Sequence, residues 1–131
     1  MRKTIIGTGI VVVVFALGSF ALHQFNDPVN AGEYDAFAQC LTDKGAMMYG
    51  AWWCPHCQNQ KKLFGDAFKK VKYIECANPI NQNEQTAECE TTKITGYPTW
   101  IFADGSRTEG EASLNALSLK TGCTLPSYDK K

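Results

Sequence analysis

Between Glu33 and Thr42, the apolar residues Tyr34, Phe37, Ala38 and Leu41 recur at three- and four-residue spacing, which predicts an amphipathic helix. Lys44-Gly45 ends it. The run Ala46 to Trp52 (AMMYGAW) carries no charge and predicts a buried central strand. From Pro55 the period becomes helical again: Leu63, Phe64, Ala67, Phe68 and Val71 are interleaved with Lys61, Lys62, Lys69 and Lys70. Pro55 suits a first helical turn, where its missing N–H costs nothing. Lys72 to Cys76 (KYIEC) alternates as a second strand, Ala77 to Gln82 reads as a loop with an Asn-Pro turn, and Glu84 to Thr92 as a short helix. After the break at Gly96-Tyr97-Pro98, Thr99 to Ala103 (TWIFA) is a strand. Asp104-Gly105 is a hairpin turn signal, with Ser106 to Gly110 as the return strand. Leu114, Leu117 and Leu119 mark a last helix that stops at Gly122. A strand–helix–strand unit followed by an antiparallel pair predicts an α/β fold, a mixed central sheet covered by helices.

The N-terminus departs from this pattern. Arg2 and Lys3 precede eighteen uncharged residues, Ile5 to Leu22, a length at the boundary between a signal-peptide core and a short membrane span. The reading favours an uncleaved signal-anchor over residues 1–22, with a polar tether over 23–32 (HQFNDPVNAG), a domain over 33–125 and a tail over 126–131. In either case the basic end stays cytoplasmic and the rest is exported, so the domain is expected on the periplasmic or another extracytoplasmic side, and secreted if the segment is cleaved. The 131 residues suffice for one domain, and thirteen basic residues cancel thirteen acidic ones. No basic patch points to nucleic acid.

Export changes the meaning of the six cysteines, all of which lie beyond residue 22. An even number in an oxidising compartment reads as disulfides before metal ligands. Cys54 and Cys57, in the run WCPHC, are the exception that can turn over. Cys54 falls where the first strand meets a helix start, and unpaired N–H groups with the positive end of the helix dipole favour a thiolate there. Cys57, one turn on, can close a disulfide with it. Cys54 is therefore expected to attack, and Cys57 to be the buried resolving partner. His56 can stabilise the thiolate by charge or by a ring hydrogen bond. Pro98 reads either as an ordinary edge-strand residue or as a cis proline that exposes the preceding backbone to an extended substrate. Of Trp52 and Trp53, one is expected on a substrate-facing rim and one in the core. The remaining Cys40, Cys76, Cys89 and Cys123 allow three pairings.

WCPHC at a strand–helix junction, with Tyr97-Pro98-Thr99 opening a later strand and hairpin, resembles the thioredoxin fold over roughly residues 33 to 123. Cys-Pro-His-Cys is the motif typical of DsbA-type disulfide oxidants. MYGAWWCPHCQNQKKLFG, YPTWIFADGSR and the terminal TGC are similar to the thioredoxin-like domains that accompany bacterial and plant homologues of vitamin K epoxide reductase. The resemblance implies that Pro98 is cis and lies against the Cys54–Cys57 pair, and that the Tyr97 backbone meets the substrate; Trp53 is the tryptophan assigned to the substrate-facing rim. It also implies structural disulfides Cys76–Cys89 and Cys40–Cys123, each contributing roughly 2 to 4 kcal/mol. The implied function is a membrane-tethered thiol–disulfide oxidoreductase that passes a disulfide to substrate proteins with free thiols. A quinone-linked membrane oxidoreductase of the vitamin K epoxide reductase type would re-oxidise it. One position departs from the pattern: thioredoxins proper carry a buried Asp six residues before the first cysteine, where this chain has Met48. That argues against a general reductant.

The rival readings are a reductant or isomerase of the same fold, a structural domain without turnover, and a metal module. Zinc would need a second close pair of ligands, and Gln58 after Cys57 excludes the usual haem attachment. Copper on Cys54, Cys57 and Met47 or Met48 is weaker than the reading of both methionines as core. The expected chemistry uses the chain's own sulfur, with no cofactor and no metal.

Overall fold

The computed structural model describes residues 32–126. The anchor at 1–22, the tether short of Gly32 and the tail beyond Pro126 lie outside the described residues. Among those described, no helix is long and apolar enough to cross a membrane.

The elements run α1 (Asp35–Asp43), β1 (Met47–Gly50), α2 (Pro55–Phe64), a 3₁₀ turn (Gly65–Lys70), β2 (Lys72–Glu75), α3 (Ala87–Thr91), β3 (Thr99–Ile101), β4 (Arg107–Glu109) and α4 (Leu114–Thr121). The four strands form one mixed sheet in the order β2-β1-β3-β4. β1 is parallel to β2 and antiparallel to β3, which pairs antiparallel with β4. The uncharged first strand is thus flanked on both edges, as its composition predicts.

Alternation along the strands divides the core in two. Met48 and Trp100 point to the face that packs with Phe37, Leu41, Phe64 and Leu117. Tyr49 and Ile101 point to the other, against Cys76, Cys89 and Ile94. Thr42 joins α1 to the edge strand, its hydroxyl donating to the Lys70 carbonyl at 2.7 Å and accepting the Lys72 N–H at 2.8 Å.

Several elements differ from expectation. The helical spacing read through Leu63 to Val71 is two segments: α2 ends at Phe64, and Gly65, at φ +54°, turns the chain into the 3₁₀ stretch. Within α2 the buried positions are Cys57, Gln60 and Phe64, while Leu63 is exposed. A polar residue in the middle of the stripe hides it from a hydrophobicity reading. Leu119 is also exposed, because α4 buries Leu117 alone. The helix after the loop is shorter than read, starting at Ala87 rather than Glu84. Neither tryptophan of the Trp52-Trp53 pair enters the core: they are 53% and 41% exposed. β1 ends at Gly50 and the chain leaves the sheet in a turn, while the fully buried Trp100 of β3 fills the interior.

Of the three pairings open to the four outer cysteines, the structure joins Cys40 to Cys123 and Cys76 to Cys89. The first spans 83 residues and ties α1 to the end of α4; the second closes the loop between β2 and α3. Because loop-closure entropy grows with loop length, replacing Cys40 and Cys123 together by Ala is expected to cost about 2–4 kcal/mol. Urea unfolding followed by tryptophan fluorescence measures it, and an unchanged midpoint would count against this account.

Candidate active site

Cys54 is the N-cap of α2, with extended backbone, and its Sγ accepts the N–H of Cys57 at 3.3 Å. One of the helix's unpaired donors is therefore spent on sulfur, which suits a negative charge at Cys54. The Cys54 N–H donates to the Ala51 carbonyl at 3.0 Å, holding the turn between β1 and α2. Pro55 follows in the first helical turn. Both active-site cysteines are free thiols; Cys54 keeps 5% exposure and Cys57 none. Only Cys54 can be met by an incoming sulfur.

The loop before β3 closes the site from the other side. The Tyr97–Pro98 peptide bond is cis, Pro98 is fully buried, and the Cys54 thiol donates to the Tyr97 carbonyl at 3.7 Å. The Tyr97 ring meets Trp53 edge-on at 6.0 Å, and its hydroxyl accepts from Gln85 Nε2 at 2.7 Å. Gln85 lies in the loop stapled by Cys76–Cys89, so that disulfide reaches the site through one side chain. Trp53, Tyr97, Ala77 and residues 82–85 line a cleft of about 480 Å³.

His56 is exposed on the first turn of α2, and its Nδ1 lies 2.7 Å from Glu111 Oε1, not against Cys54. Asn59 Nδ2 donates to the same carboxylate oxygen at 3.2 Å. The hydrogen bonds from His56 and then Asn59 hold the Glu111 carboxyl below the usual carboxylate range. Glu111 is placed by the buried Gln60, whose Nε2 donates to the Ala112 carbonyl at 2.9 Å while its Oε1 accepts the Ala112 N–H at 2.6 Å. Sequence reasoning missed Gln60 and Glu111, which are 52 and 55 positions from Ala112 and His56 respectively. No local pattern links such residues.

The Thioredoxin family profile matches residues 28–120. The chain belongs to the thioredoxin family. It is also similar to the protein described as thiol-disulfide oxidoreductase LTO1 of Arabidopsis thaliana, 42% identical over 94 residues. Those residues are 69% of this chain and 24% of that protein, so the chain spans about a quarter of its relative's length.

Within the domain the two sulfurs are unequal. Burial, then the hydrogen bond with Cys54, pushes the Cys57 thiol up to about 12 from 9.0. In the dithiol form the folded thiol holds its proton more tightly than the unfolded one. Its contribution to stability is therefore complete below about pH 9 and lost as the pH rises through about 12. Urea midpoints of the dithiol form, with both outer disulfides intact, are expected to fall across that window; a flat profile would refute the assignment. Gly50 marks the tightest packing: a Cβ there would stand 2.8 Å from Cys57 Sγ and 3.1 Å from the Tyr73 ring. Gly50→Ala is expected to destabilise the fold by about 1–3 kcal/mol through overpacking, measurable by the same unfolding assay.

Proposed function

We propose that the protein is an exported, membrane-tethered thiol–disulfide oxidoreductase that passes the Cys54–Cys57 disulfide to substrate proteins with free thiols. The carrying observation is the inequality of the two sulfurs: Cys54 at the helix start beside the Tyr97 carbonyl, Cys57 fully buried behind it. A substrate thiolate attacks Cys54 Sγ of the oxidised pair. The Cys54–Cys57 bond breaks, its electron pair passes to Cys57 Sγ, and a mixed disulfide forms between substrate and Cys54. A second substrate thiolate then attacks the substrate sulfur of that bond and displaces Cys54. The substrate leaves oxidised by two electrons, and the domain is left as the dithiol.

The cleft between Trp53, Tyr97 and the stapled loop suits an extended segment flanking the substrate cysteine. Return to the disulfide needs an acceptor of two electrons, assigned here to a quinone-linked membrane oxidoreductase of the vitamin K epoxide reductase type. That assignment is supported by the resemblance in the runs around Cys54 and Tyr97. Export and tethering are supported by the apolar run Ile5 to Leu22 behind Arg2 and Lys3, and by the two outer disulfides, which suit an oxidising compartment.

Cys57→Ala removes the resolving thiol and is expected to leave substrate proteins covalently held on Cys54, identifiable by mass spectrometry of non-reduced adducts. Absence of any adduct would sink the exchange reading. The potential of the pair sets the direction: a value near about −120 mV belongs to an oxidant, and one near about −270 mV to a reductant.

A further inference from the structure

Cys57 changes its proton in every turnover. When the disulfide opens at Cys54, the electron pair arrives on a sulfur with no solvent exposure, and burial favours the neutral thiol there. The proton has to be brought in, and taken out again on re-oxidation. Met48, where thioredoxins proper have their buried Asp, is apolar and fully buried.

The neighbouring strand carries groups that can do this. In the parallel register, Tyr73 of β2 lies opposite Met48, and Glu75 opposite Gly50. A Cβ on Gly50 would stand 2.8 Å from Cys57 Sγ and 3.3 Å from Tyr73 Oη, so thiol and phenol share the space which that glycine leaves. Tyr73 Oη donates to Glu75 Oε2 at 2.9 Å. The other carboxylate oxygen accepts the N–H groups of Trp52 at 3.1 Å and Ala77 at 2.9 Å, which fixes the carboxylate at the end of the strand. Glu75 and Tyr73 are both half-buried, and Glu75 lies beside the exposed Trp52, where it borders water. Lys61 Nζ lies 3.8 Å from the Tyr73 ring centre.

We infer that Tyr73 and Glu75 form the proton path to Cys57, standing in for the carboxylate that Met48 lacks. Glu75 takes a proton from solvent and passes it from Oε2 to Tyr73 Oη as the phenol's own proton moves to the Cys57 thiolate. Glu75 ends as carboxylate, Tyr73 as phenol and Cys57 as thiol, and the reverse transfer serves re-oxidation. Burial and the hydrogen bond to Glu75 push the Tyr73 phenol upward, keeping it a neutral donor. The ionisable groups around the pair are Cys54, Cys57 and Lys61 from α2, and Tyr97 from the loop before β3.

The inference rests on the exchange reading above, and its test separates the two. Reduction of the oxidised full chain by a dithiol peptide is followed by stopped-flow tryptophan fluorescence from pH 5 to 9, in H₂O and D₂O. Tyr73→Phe keeps the ring beneath Lys61, and Glu75→Gln keeps an oxygen for the Trp52 and Ala77 N–H groups. Both are expected to slow the step by about 10²-fold, the lower end of what a positioned proton donor contributes. Both are also expected to abolish the solvent isotope effect and flatten the pH profile, with circular dichroism unchanged. A wild-type chain that reacts while Tyr73→Phe retains its pH profile and isotope effect overturns the proton path alone, whatever the folding of Glu75→Gln. A wild-type chain that exchanges no disulfide overturns the function and the path together.

Discussion

Cys57 Sγ lies against the bare Cα of Gly50, and most of the site follows from that contact. It lets the first turn of α2 settle directly on the end of β1, so Cys54 becomes the N-cap and Cys57 is sealed beneath it. A side chain at Gly50 would lift the helix start and separate Cys54 from the Tyr97 carbonyl. The same gap admits the Tyr73 hydroxyl to the neighbourhood of the sulfur. One missing methyl group thus links helix placement, thiol burial and access of a proton donor.

Around this contact the molecule divides its labour among sulfurs. Cys40–Cys123 ties α1 to the end of α4 beside the face carrying Phe37, Phe64 and Trp100. Cys76–Cys89 belongs to the opposite cluster and shapes the loop that presents Gln85 to Tyr97. Structural disulfides hold walls, and the pair between them stays free to react. Polar anchoring follows the same economy: the buried Gln60 grips both backbone groups of Ala112, and the strap so fixed brings Glu111 to His56. His56 is thereby tied to a carboxylate rather than to Cys54.

The chain's own alternation carried most of the fold. AMMYGAW read as a central strand, KYIEC and TWIFA as further strands, and Asp104-Gly105 as the turn, because apolar period and turn chemistry are local properties. The reading failed where a local pattern was interrupted by a residue with a distant partner. Gln60 breaks the apolar stripe of α2 because its amide is satisfied 52 residues away. One of Trp52 and Trp53 is expected in the core, but the turn after Gly50 carries both outward.

By itself the sequence determined that Cys54 and Cys57 lie one helical turn apart behind a strand, with Pro55 starting that turn; spacing and backbone preference suffice for this. Its alternation also places Tyr73 and Glu75 on one side of β2, yet nothing local says what they face. Only the tertiary structure decided that this side looks onto Cys57, that the Tyr97 carbonyl meets Cys54, and that Glu111 holds His56. The physical reason is range. Period and capping act within a few residues, whereas the environment of a buried sulfur is made by strands and loops that meet only when the chain has closed.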